Sequence, residues 1–113
     1  MGFPRRMSLK SSAVIGSVIK GGRSYSLQPL KLHLRPSSRK GALVAFAVPK
    51  YGHSIVERNR LKRQLQEIVR SESVRLEGYL AVVRCTPRAY GRTREQLREI
   101  FSRLVDRITE EKR

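Results

Sequence analysis

Nothing in this chain restricts its architecture more than the segment Ser54-Ile55-Val56-Glu57-Arg58-Asn59-Arg60-Leu61-Lys62-Arg63-Gln64-Leu65-Gln66, which runs on to Arg70. Ser54 with Glu57 three residues later is a helix-start pair: the hydroxyl accepts the Glu57 amide hydrogen, and the carboxylate reaches back to the Ser54 amide. Advancing 100° per residue, Leu61, Leu65, Ile68 and Val69 share one stripe. The spacing predicts a helix laid on a core. Asn59, Lys62, Arg63, Gln66 and Arg70 gather on the opposite side, Arg60 stands at the edge of that side, and Arg58 falls beside the apolar stripe.

A row of charges on a helix is ordinarily a solvated face. Solvated helices, however, gain from opposite charges three or four residues apart, whereas residues 58–63 hold four cations and no anion. A polyanion relieves that repulsion. The whole chain leans the same way, with 25 Lys and Arg against nine Asp and Glu and a net charge of +16. Such a balance implies an anionic partner, most simply nucleic acid. All nine acids lie at or after Glu57, and the first 56 residues carry ten Lys or Arg with no carboxylate.

At 113 residues the chain can build one core but not two. Residues 1–10, with Pro4 and Arg5-Arg6, show no period and read as a flexible basic arm; residues 11–111 read as a single domain. A short helix starts at Ser11 or Ser12, buries Val14, Ile15, Val18 and Ile19, and stops at Gly21-Gly22. Leu30, Leu32 and Leu34 alternate with Lys31, His33 and Arg35 in a half-buried strand that ends at Pro36. Residues 37–41 read as a hairpin turn, and the apolar run 42–48 suits a central strand closed by Pro49.

Residues 71–78 form a charged connection, 79–85 a third strand and 86–92 a basic loop. Thr93 and Gln96 repeat the capping pattern before a long amphipathic helix through Leu97, Ile100, Phe101, Leu104, Val105 and Ile108. The outer face of that helix mixes signs and is the conventional solvated case. The order helix, strand, strand, helix, strand, helix predicts an α+β sandwich with helices against one sheet.

Several functions are disfavoured. A basic, acid-poor beginning suits a transit peptide or a polybasic membrane patch, but the apolar run 13–19 is too short to span a bilayer and strands follow it, so no membrane role is expected. Cys85 stands alone, which rules out an intrachain disulfide and suits a reducing cytoplasm. His33 and His53 lack companions at zinc-site spacing. Phosphodiester cleavage by protein groups needs convergent carboxylates or a general acid and base at one phosphate. Here Glu57 is a cap, Glu67 lies on a helix flank, Glu72 and Glu77 sit in a connection, and the other acids decorate the last helix. No catalytic residue, protein metal site or small-molecule substrate is expected.

The run Arg58-Asn59-Arg60-Leu61-Lys62-Arg63, preceded by a strand ending in Pro49-Lys50 and by Gly52 at the helix entrance, resembles the signature helix of the bacterial ribonuclease P protein component. The order of elements matches that family over roughly residues 8 to 110. The resemblance implies a fold like ribosomal protein S5 domain 2, with a left-handed β-α-β crossover around the signature helix. It also implies a cytoplasmic, non-catalytic subunit of an endoribonuclease whose RNA holds the catalytic Mg2+ ions.

Carried over residue by residue, the resemblance assigns Arg58, Asn59, Arg60, Lys62 and Arg63 to binding the ribonuclease P RNA, with Gln66 and Arg70 continuing that face. A cleft between the first helix and the sheet, here Ile15, Ile19, Lys20, His33, Lys50 and Arg58, would hold the 5′ leader of precursor tRNA. Two features depart from the family. Its Phe-x-x-x-Phe-Lys-x-Gly run reads Ile15-Gly16-Ser17-Val18-Ile19-Lys20-Gly21-Gly22, and the usual aromatic of the next strand is His33, so stacking platforms worth about 1–3 kcal/mol per base are missing. Tyr25 and Tyr51 are either substitutes or packing residues. There is also one residue more than usual between Gly52 and Arg58. A structural RNA-binding protein of ribosomal type, without a processing role, would share the charge and the helix; a standalone nuclease is the other rival.

Overall fold

The computed structural model describes residues 3–38, 40–50 and 52–111. Tyr51, one of the two candidate aromatics, lies outside the described residues, as does Arg39 in the expected turn. Three helices and four strands follow in the order α1 (Ser12–Gly21), β1 (Arg23–Leu27), β2 (Leu30–Pro36), β3 (Leu43–Ala47), α2 (Ile55–Ser71), β4 (Tyr79–Cys85) and α3 (Arg94–Glu111).

The helix starts follow their local chemistry. The Val14 amide donates to Ser11 Oγ at 3.3 Å, and both halves of the Ser54–Glu57 exchange are made, at 3.1 and 3.2 Å. Thr93 and Gln96 make the same reciprocal pair ahead of α3. Each cap satisfies amides that the first helical turn leaves without a partner. At the far end of α1, a Cβ on Gly22 would lie 2.3 Å from the Leu34 carbonyl oxygen, so only glycine lets the helix end against β2.

The strands form one mixed sheet in the order β1-β2-β4-β3. β1, β2 and β4 are antiparallel neighbours, while β3 runs parallel to β4, so α2 lies in the crossover between two adjacent parallel strands. Several expectations need correcting. β1 leaves almost no strand pattern in the sequence, because only Tyr25 and Leu27 carry its alternation; the hairpin is β1–β2, turning at a cis Gln28-Pro29 bond. Residues 37–41 are not a hairpin turn, since β4 separates β2 from β3. The Ser37 amide donates to the Gly78 carbonyl at 2.7 Å and the Gly78 amide to the Gly41 carbonyl at 3.0 Å, so this link arches over the start of β4.

The apolar run 42–48 is an edge strand rather than a central one. Its edge is covered by the chain's own beginning, which corrects the reading of residues 3–9 as part of a free arm. Ser8 bridges to Val44, the Leu9 amide donates to the Val44 carbonyl at 2.9 Å, and Phe3 meets Phe46 edge-on with centroids 5.2 Å apart. An unpaired strand edge beside a half-buried ring is a ready partner for such a segment.

Helices cover both faces of the sheet. Leu30, Leu32, Leu34, Val44, Ala81 and Val83 pack with Leu61, Leu65, Ile68 and Val69 of α2 and with Leu97, Phe101, Leu104 and Val105 of α3. On the reverse face Val18 of α1 packs on Ala45 and Val82, flanked by Ile15, Ile19 and Leu80. Tyr25, at 6 % exposure, belongs to the larger core and offers no platform. Among the described residues no helix is long and apolar enough to cross a membrane.

Candidate nucleic-acid interface

Burying the Leu61, Leu65, Ile68 and Val69 stripe turns the rest of α2 outward. Asn59, Arg60, Lys62, Arg63 and Arg70 are exposed and Gln66 is half-buried. Among the described residues none of these cations has an acidic partner. The nearby acids are engaged elsewhere: Glu67 pairs with Arg94 of α3 at 2.8 Å, and Glu57 is held by Ser54 and by His53 at 3.5 Å. Hydrogen bonds from the Ser54 amide and hydroxyl, with His53 beside them, hold the Glu57 carboxyl below its ordinary range. Among the described residues the cations of this surface are therefore left without a direct acidic partner, and its potential is net positive.

The structure divides the expected set. Asn59, Lys62, Arg63, Gln66 and Arg70 share the outer side, whereas Arg60 lines a notch between α2 and the 3-10 turn Pro87–Gly91. Arg58 is half-buried, and its Nε is buried without a hydrogen-bond partner. Its neighbour is Tyr90, whose phenol is pushed up chiefly by burial, further by Cys85, and opposed by the Arg58 charge. Tyr90 stacks on His53 with centroids 3.5 Å apart and planes 12° from parallel, and its O–H donates to the Pro49 carbonyl at 2.7 Å. This aromatic pair at the entrance of α2 had no signature in the chain, because its members lie 37 positions apart in unrelated segments.

On the α1 side of the sheet, Ile15 and Ile19 are half-buried against the sheet and Lys20 is exposed, while Lys50, beyond the end of β3, is exposed as well. Arg35 Nη1 donates to Ser17 Oγ at 2.9 Å, tying β2 to α1. His33 needs correcting as a cleft residue. It sits in register between Ser24 and Val82, and Val82 packs under Val18, so the ring is only 2 % exposed and cannot offer a face to a base. Its Nδ1 lies 2.9 Å from Ser24 Oγ, and burial, then Arg84 and Lys31, hold its pKa below the ordinary value.

Lys31 and Arg84, two residues farther along, are exposed and directly opposite one another between β2 and β4. Like charges in that position repel, and no acid lies between them among the described residues. With Ser26, Gln28 and Thr86 they line a hollow of about 240 Å3. Arg84 was the available signal in the chain, as the one charge inside an apolar strand.

Among the described residues no group of three or more His, Cys, Asp or Glu side chains could hold a metal ion. The side chains of the described residues do not fit a protein-held Mg2+.

The fold is similar to solved structures of ribonuclease P proteins. For that of Staphylococcus aureus the TM-score is 0.81 at 17% identity, covering 88% of this chain and 93% of the other. For that of Thermotoga maritima it is 0.79 at 20% identity, covering 88% and 96%. The ribonuclease P protein component of Acidothermus cellulolyticus is 30% identical over 97% of this chain and 94% of its own. That of Finegoldia magna is 36% identical over 66 residues, so the match spans 58% of either chain. The family model described as Ribonuclease P matches residues 3–109, and with a relative aligned over nearly its full length, the chain belongs to the ribonuclease P protein component family.

Proposed function

We propose that this chain is the protein subunit of ribonuclease P, which docks on the catalytic RNA through α2 and holds the 5′ leader of precursor tRNA on the α1 side of the sheet. The observation that carries this reading is the exposed row Asn59, Arg60, Lys62, Arg63 and Arg70, with no acid paired to any of its cations among the described residues. Arg and Lys neutralise phosphates and release their counterions, and the guanidinium presents paired donors that match a phosphate. Asn59 adds a donor and an acceptor for a sugar or base edge.

The protein then acts by position. Lys31 and Arg84 draw a leader strand into the hollow at the β1–β2 turn, with Lys20 and Lys50 extending the positive surface. Substrate and ribozyme, both polyanions, are brought together against their repulsion, and the scissile phosphate is set where RNA-bound Mg2+ acts. No protein side chain takes part in bond cleavage, and the setting is the cytoplasm.

The test is cleavage of a precursor tRNA by a bacterial ribonuclease P RNA at low magnesium, with and without the chain. Stimulation and a correct mature 5′ end are expected. An absence of stimulation despite tight RNA binding would leave only a structural RNA-binding role, and cleavage by the chain freed of RNA would overturn the assignment of chemistry to RNA.

A further inference from the structure

The notch that Arg60 lines is not part of the outer face of α2. Leu61 and Ala89 form its apolar floor, Tyr90 and Gln64 its walls, and Arg60 and Arg92 its cationic rim. Its volume is about 220 Å3, several times the ~30 Å3 a water molecule takes in the liquid. Leu61 and Ala89 are buried while Arg60 and Arg92 are exposed, so the site grades from apolar depth to charged mouth.

The chemistry of those groups selects the occupant. A flat apolar ring settles on Leu61, Ala89 and Tyr90. Gln64 presents an NH2 donor beside a carbonyl acceptor, which suits the edge of a nucleobase. Two guanidinium groups at the mouth suit the phosphate that a base carries with it. Tyr90 is held in advance by the His53 stack and by the hydrogen bond to Pro49, so little side-chain freedom is lost on binding. Glu57, the one acid on the rim, is occupied by Ser54 and His53 and offers only spare acceptor capacity toward a base amino group.

We propose that this notch seats one unpaired nucleotide of the RNA, its base against Tyr90 and Gln64 and its phosphate between Arg60 and Arg92. The inference rests on the reading that α2 docks on RNA, and adds that one flank of the helix selects an unstacked base where the outer face meets phosphates without regard to pairing.

The experiment measures binding of the full chain to a short single-stranded RNA and to a blunt RNA duplex of equal phosphate count, across a salt series. Gln64→Leu and Tyr90→Leu are expected to weaken single-strand binding roughly tenfold, leaving the salt slope and duplex binding unchanged. Lys62→Ala with Arg63→Ala is expected to weaken both and flatten the slope. Unchanged single-strand affinity in the notch variants, beside a flattened slope in the Lys62 and Arg63 variant, overturns the notch alone. No effect of either set overturns the docking reading as well. Equal losses on duplex and single strand also overturn the notch, because a base hidden in a pair cannot enter it. Should Tyr90→Leu fail to fold, Gln64→Leu and Arg92→Gln decide the matter, since neither position belongs to the core.

Discussion

Replacing Lys62 and Arg63 together by Ala isolates what the outer face of α2 contributes. Both side chains are exposed, and among the described residues neither is hydrogen-bonded or ion-paired, so the change breaks no internal contact. Ala is the strongest helix former, so α2 should persist. If each cation neutralises one phosphate, the pair accounts for about 1.5 of the slope of log affinity against log salt. Raising salt from about 50 to about 200 mM should then cost the wild type roughly tenfold more affinity than the variant. Binding to ribonuclease P RNA is read by filter retention over that range, with thermal unfolding as the check on fold. An unchanged slope, whatever happened to affinity at a single salt concentration, would refute phosphate contact at these positions.

Other expectations concern the fold and its buried groups. Gly22→Ala would set a Cβ 2.3 Å from the Leu34 carbonyl and 2.6 Å from that of Val18, and because both obstacles are backbone, about 1–3 kcal/mol of stability should be lost; an unchanged melting temperature would refute so close an α1–β2 contact. His33 has a folded pKa below 6.5, so below that pH the unfolded chain binds the proton first, and stability present above 6.5 should fall as pH drops through the folded value. His33→Asn should remove that component, and parallel stability curves for variant and wild type between pH 8 and pH 5, about the range over which histidine titrates, would contradict it. Burial pushes the Cys85 thiol from 9.0 to about 11, so alkylation at neutral pH should accelerate roughly a hundredfold when the chain is unfolded in urea; equal rates would mean that the thiol is not shielded.

What could be read in advance was chemistry within a few residues. Ser11, Ser54 with Glu57, and Thr93 with Gln96 announce their helices because a cap is an exchange across three residues. The core stripe of α2 and the bareness of its cationic side follow from helical spacing in the same way. The candidate cleft was less legible. Periodicity put His33 on the polar side of β2, but that it lies under α1 depends on where α1 comes to rest, which no spacing within β2 encodes. Lys31 and Arg84 face each other only because β4 inserts next to β2.

By itself the order of residues determined the charge and the helix that displays it, since these depend on composition and on neighbours along the chain. Only the folded molecule decided the strand order β1-β2-β4-β3, the covering of β3 by residues 3–9, and the seating of Arg60 beside the turn Pro87–Gly91. Each of these is a pairing between distant segments, settled by which edges and apolar faces are left uncovered once the local elements have formed.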